Sequence, residues 1–280
     1  MKLSINLRNW GPHSTPDVMR ECAQAADESR LDTLWINEHI AIPPKADMPD
    51  GVPDFAEGRN LDPFATLAFL AAATKRISLG TAVILLPYRP PLPTAKLVAT
   101  VQELSGGRLR LGVGVGWMKE EFRALGVDYS KRGTITNETL AFLRHCFDGD
   151  DTAEANGQPF LFRPRPTRPR IYVGGAPPHS LQRAIKYGDG WIPAGVEPDV
   201  MKPNVERLNT LAQEAGRSPL EIIAMKTLPI NDPPKAVDYA NQFAEAGASH
   251  LVHTQGYESV AEYRRNVEIL EEKIRPVLAA

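Results

Sequence analysis

Cysteine is scarce in this chain. Only Cys22 and Cys146 occur among 280 residues, too few for a disulfide framework, and each stands in an amphipathic helical pattern that predicts a buried thiol. Charge of one sign is lacking too: 32 Lys and Arg stand against 34 Asp and Glu, giving a formal net charge of −2 and an isoelectric point near 6.3. That balance offers no bulk attraction for nucleic acid or an anionic membrane, so the expected partner is a small molecule. No apolar run approaches the ~20 residues of a membrane span. The opening "MKLSINLRNW" enters a strand-like alternation without a signal-peptide apolar region, which sets the expectation of a cytoplasmic protein. A nucleophile elbow, a Walker loop and zinc-ligand spacing are all missing, and with them the visible apparatus of hydrolysis and phosphoryl transfer. His250 and His253 do not restore a metal site. Their odd separation on a strand sends them to opposite faces, and no metal is expected.

What is present is a regular alternation. Short apolar, β-branched runs recur at Lys2–Leu7, Thr33–Ile40, Ile77–Leu86, Arg108–Val115, Arg170–Gly174, Gly190–Pro193, Ile222–Leu228 and His250–Thr254, and each has the length and composition of a strand. Helical patterns lie between them. Thr15-Pro16 and Asp62-Pro63 place a capping residue before a proline at the first helical position, and Gly188, Gly216 and Gly247 stand where helix ends belong. In "PTAKLVATVQELSGG" the spacing sets Leu97, Val101 and Leu104 on one face before Gly106 ends the helix. Strand then helix, repeated eight times, predicts a single domain over residues 1–280 closed into a (β/α)8 TIM barrel, with a doubly wound open sheet as the alternative. Two connections are long: residues 41–60 after the second strand, and Met118 to Pro169 after the fourth. The latter holds a helical pattern near Thr136–Phe147 and a hairpin in "TAEANGQPFLF". Both leave the strand ends at which barrels build active sites.

The fourth strand, "GGRLRLGVGVGW", does not fit a dinucleotide fingerprint. That fingerprint needs a glycine three places after its second one, and the two registers put Trp117 or Lys119 there. Its glycines instead mark close approach of backbone or ligand. Around the same mouth, "WINEH" supplies His39, an imidazole suited to acid–base chemistry near neutrality or, on the plainer reading, bonded to a neighbouring loop. Glu38 beside it faces the other way. "VGGAPPHS" places two glycines before a helix N-terminus, an ordinary turn that can also take a phosphate. The run "FRPRPTRPR" reads as a solvated extended connection.

Taken together, "LWINEHI", "LGTAVILLPYRPPLPTAKLVATVQELSGGRLRLGVGVGW", "EEFRALGVDYSKRG" and "IYVGGAPPHSLQRAIKYGDGWIP" resemble the luciferase-like monooxygenase superfamily, and within it the branch that depends on the deazaflavin coenzyme F420. The resemblance spans Lys2 to the last strand. It implies the same barrel, a homodimer, and a site in which His39 is catalytic and lies beside the cofactor ring. It also implies ring contacts from Gly114 and Gly116, a non-proline cis peptide between Ala82 and Val83 next to Thr81, and a phosphate loop of Gly174, Gly175 and Ser180. Related sugar-phosphate dehydrogenases carry a glutamate where this chain has Trp117, whose indole can wall an apolar pocket and cannot donate a proton as an acid. The implied activity is hydride transfer between the deazaflavin C5 and a small apolar substrate. An FMN-dependent monooxygenase using dioxygen and a non-catalytic cofactor-binding barrel stand as alternatives.

Overall fold

The computed structural model describes residues 1–44, 59–193 and 195–278. The barrel strands are β1 (Lys2–Asn6), β2 (Thr33–Ile36), β3 (Ser78–Thr81) with its continuation β4 (Ile84–Leu85), β5 (Leu109–Gly114), β8 (Arg170–Gly174), β9 (Gly190–Ile192), β10 (Glu221–Lys226) and β11 (His250–His253). All neighbours pair in parallel, and β3 against β5 closes the ring through Leu79↔Leu109 and Gly80↔Arg110. The eight strand positions are those expected from the alternation, the third being delivered in two pieces. Alternate residues explain the closure: Leu3, Ile5, Leu111, Ile171 and Leu251 project outward into the core shared with the helices, while Trp35, Tyr172, Ile192, Ile223 and Val252 fill the lumen.

Helices α1 (Pro16–Glu28), α2 (Pro63–Ala73), α3 (Pro91–Leu104), α6 (His179–Tyr187), α7 (Pro198–Glu214), α8 (Pro233–Glu245) and α9 (Val260–Ile269) surround the ring. Thr15 and Asp62 cap α1 and α2 as their sequences foretell, each with proline at the first turn. Cys22 and Cys146 are free and buried.

Several expectations need correction. The second strand stops at Ile36, before the expected Ile40, because the Asn37 amide donates to the Asn9 side chain at 3.0 Å and leaves the ladder. On α3 the buried face is Thr94, Ala95, Val98, Ala99, Val101 and Gln102. Leu97 and Leu104 are 39% and 61% exposed, since the covered face of α3 is centred on Ala95, Val98 and Ala99. The insertion between β5 and β8 holds α4 (Lys119–Ala124), which the sequence reading did not anticipate, then α5 (Arg132–Asp148) and the hairpin β6 (Thr152–Ala155) and β7 (Gln158–Leu161). Helix α5 begins a turn early because the 3-10 turn Tyr129–Lys131, capped by Asp128, runs directly into it. "FRPRPTRPR" is extended but tied down: Arg168 forks onto Asp189 and also reaches Asp148. Most of the long connection after β2, residues 45–58, lies outside the described residues. Among the described residues no helix is long and apolar enough to cross a membrane.

Candidate active site

The mouth at the C-terminal strand ends is shaped first by backbone. The peptide between Ala82 and Val83 is cis, and it separates β3 from β4 as the resemblance implies. Val83 fills a notch between two glycines: a Cβ on Gly114 would stand 2.7 Å from Val83 Cγ2, and one on Gly174 3.0 Å from Val83 Cγ1. Either methyl would displace the bulge, which is the physical reason β5 and β8 carry glycine there. The Thr81 hydroxyl donates to the Gly112 carbonyl at 2.8 Å and is fully engaged in the wall. Gly116 turns the chain at φ +79°.

Three asparagines support the bulge from the other side. Asn6 Nδ2 donates to the Trp35 carbonyl at 3.0 Å and to Asn37 Oδ1 at 2.9 Å, and Asn37 Nδ2 donates to the Ala82 carbonyl at 3.0 Å. Asn9 Nδ2 holds the Asn37 and Leu61 carbonyls, both at 2.9 Å. Buried polar groups of this kind are tolerated only when paired, and these satisfy one another.

His39 and Glu38 diverge beyond the end of β2. Glu38 is buried, accepts from the Leu85 amide and pairs with Arg89, which also reaches Asp62. His39 turns into the mouth, 8% exposed, with Nδ1 at 2.9 Å from Glu121 Oε2. Glu121 comes from α4 and is fully buried. Its other partners are the Tyr88 hydroxyl at 2.8 Å and the amides of Ile40 at 2.6 Å and Ala41 at 3.0 Å. Burial opposes its charge, yet the bonds from His39, Ala41 and Ile40 hold the carboxyl below the ordinary range, so Glu121 is a carboxylate. Burial and the facing carboxylate push the Tyr88 phenol well up, so it stays a neutral donor. Trp117, 39% exposed, sets its ring edge-on to His39 at 5.9 Å.

Opposite this cluster, Gly175 adopts φ +116° just before α6. Ser180 in the first turn of that helix is 2% exposed, and its hydroxyl has no hydrogen-bond partner among the described residues. One turn on, Arg183 is 9% exposed, bonds Asn137 Oδ1 at 2.7 Å and pairs with no carboxylate among the described residues. Burial pulls its pKa down from the ordinary value.

The family model described as luciferase-like monooxygenase matches residues 2–275. The chain belongs to the luciferase-like monooxygenase family. Its relatives include an uncharacterized protein of Mycobacterium tuberculosis, 34% identical over 213 residues, covering 71% of this chain and 73% of the relative. Among solved structures, an F420-dependent secondary alcohol dehydrogenase in complex with an F420-acetone adduct superposes with a TM-score of 0.78 at 18% identity over 100% of both chains. The oxygenating constituent of 3,6-diketocamphane monooxygenase from Pseudomonas putida, in complex with FMN, gives 0.79 at 16% identity over 100% of this chain and 99% of that one. Proteins that share this fold are thus found with F420 and with FMN.

The residues of this luciferase-like chain fit a phosphorylated flavin-type cofactor at one end. An orphaned buried hydroxyl, a helix N-terminus, a glycine at positive φ and a buried guanidinium without a carboxylate form a place for an anion. Of the site residues expected from the sequence, His39 and Trp117 touch. Ala82, Val83, Gly114 and Gly174 form one wall. Gly175 and Ser180 lie together, with the Ser180 Cβ 3.8 Å from a Cβ built on Gly175. Glu121, Tyr88 and the asparagines join the site without having been expected there. The one signal for Glu121 is its place in "KEEFRALG", a carboxylate directly before the buried Phe122.

Proposed function

We propose that the protein is an F420-dependent oxidoreductase acting on a small, fairly apolar substrate, with His39 as its acid–base residue. The observation that supports this most is a buried imidazole paired with a fully buried carboxylate at the mouth of the barrel. When bound, the deazaflavin supplies or accepts a hydride at C5. Gly175, Ser180 and the first turn of α6 hold its phosphate side, helped by Arg183 one turn away. The wall of Ala82, Val83, Gly114 and Gly174 limits how deeply a flat ring enters. His39 holds or moves the proton that must accompany hydride at a neighbouring heteroatom. Trp117 excludes water from the substrate side and offers an apolar surface rather than an acid. The reading extends to a homodimer, for which the exposed Leu97 and Leu104, two turns apart on one face of α3, offer apolar surface.

Fluorescence-quenching titrations of the purified protein test the cofactor. F420 is expected to bind with a Kd of about 1 μM or below and FMN more weakly. Tighter binding of FMN overturns the reading in favour of a flavin monooxygenase, and binding of neither marks a barrel without this activity.

A further inference from the structure

We propose that Glu121 is a positioning residue that fixes the tautomer of His39, so that Nε2 is the nitrogen through which this imidazole takes up and releases its proton. Glu121 Oε1 accepts from two backbone amides, Ile40 at 2.6 Å and Ala41 at 3.0 Å, and Oε2 accepts from the Tyr88 hydroxyl at 2.8 Å. A group surrounded by donors on both oxygens is an ionised carboxylate, which is acceptor-only. Nδ1 of His39 lies 2.9 Å from that same Oε2. Two acceptors at this distance would repel, so Nδ1 must carry hydrogen. Neutral His39 is therefore the Nδ1–H tautomer, and its second proton enters at Nε2.

The groups packed around the imidazole agree. Tyr88 comes from the 3-10 turn Leu86–Tyr88, and its neutral hydroxyl has already donated to Glu121. Trp117 follows β5 and meets the His39 ring edge-on. Glu38, on the preceding residue, is occupied with Leu85 and Arg89. Glu121 is thus the carboxylate that faces His39 among the described residues. Protonation at Nε2 gives an imidazolium whose charge Glu121 neutralises across the Nδ1–H bond. The carboxylate holds the ring in one orientation and one protonation pattern, the arrangement that a general acid or base needs.

The assignment of a catalytic task to Nε2 rests on the oxidoreductase reading, but the tautomer does not, and it is measured without cofactor. Two-bond 1H–15N correlation spectra of the 15N-labelled protein, taken at a pH above which the His39 shifts no longer move, separate protonated from bare ring nitrogens. The chain has six histidines, and His39 is assigned by the peaks lost in His39→Gln. The expected result is a protonated Nδ1 and a bare Nε2. A protonated Nε2 beside a bare Nδ1 overturns the proposal on the parent protein alone. In Glu121→Gln the amide can donate as well as accept, and the shift separation between the two nitrogens is expected to collapse towards their mean. An unchanged separation in the folded variant also overturns it. Tyr88→Phe removes a different bond from the same carboxylate and is expected to leave the separation intact; a collapse there would show that general packing, and not the carboxylate, sets the tautomer. Failure of F420 to bind would defeat the cofactor reading and leave these outcomes as they are.

Discussion

The two ends of the barrel are built from different material. At the floor, the N-terminal strand ends, side chains close the lumen and satisfy one another. The Tyr172 hydroxyl donates to Glu221 at 2.7 Å, Arg170 pairs with the same carboxylate, and His250 Nδ1 lies 2.9 Å from Ser249 Oγ. At the mouth, glycines and a cis peptide thin the wall, and a buried hydroxyl is left without a partner. The floor is held by side chains bonded to one another and the mouth is thinned to backbone and glycine, although Ser4 Oγ and Trp35 Nε1 in the lumen are orphaned as well. Substitutions at the floor should therefore cost stability and spare chemistry, and substitutions at the mouth the reverse.

The largest effect is expected at Gly190. A Cβ there would stand 2.5 Å from the Glu221 carbonyl oxygen and 2.6 Å from the Tyr172 ring. Gly190→Ala should destabilise by about 3 kcal/mol or more, the scale of overpacking against backbone. Urea unfolding measures it, and a variant as stable as the parent would mean that the floor is looser than drawn.

Next comes pH. Burial lowers the His250 pKa from 6.5 to about 4, with Glu221, Lys2, Asp32 and Arg110 around it. Between those values the unfolded chain binds the proton and the folded one does not. Stability is thus complete above pH 6.5 and falls as pH drops towards 4, by about 3 kcal/mol for this group. The slope should flatten by one proton in His250→Asn. Glu121, whose pKa is lowered, adds its own loss as pH falls below the usual carboxylate range, while His253 at the mouth end of β11, also lowered by burial to about 4, loses stability over the same range as His250.

His39→Ala tests the mouth. Turnover should fall about 10²-fold, the scale of a positioned acid–base group, while the melting temperature changes little. A large drop in melting temperature with unchanged turnover per folded molecule would make His39 part of the scaffold and erase the contrast.

The smallest effect is the most discriminating. The Ser180 hydroxyl has no partner among the described residues, so Ser180→Ala should leave stability unchanged or slightly higher, because an unsatisfied buried group disappears. Cofactor affinity should weaken roughly 10-fold, about 1.4 kcal/mol. Lost stability with intact affinity would place Ser180 among the structural residues.

Much of this was legible in the sequence because it depends on local pattern. Alternation and capping located the eight strand positions, and Thr15-Pro16 and Asp62-Pro63 announced their helices from side-chain chemistry within one turn. The glycines of β5 announced a close approach, though not what approaches. That needed Val83, on another strand, seated between Gly114 and Gly174. Leu97 and Leu104 misled because helical spacing names a face without saying whether a neighbour covers it.

The sequence by itself determined the alternation of strand and helix and the strand ends at which a site can stand, since period, polarity and turn chemistry act over a few residues, whereas closure of the ring rests on β3 pairing with β5. Only the tertiary structure decided which groups work together there. Glu121 is separated from His39 by 82 residues, and its ionisation depends on His39, Ala41 and Ile40 arriving from the segment after β2. A buried carboxylate is charged or neutral according to the donors around it, and those donors are assembled by the fold.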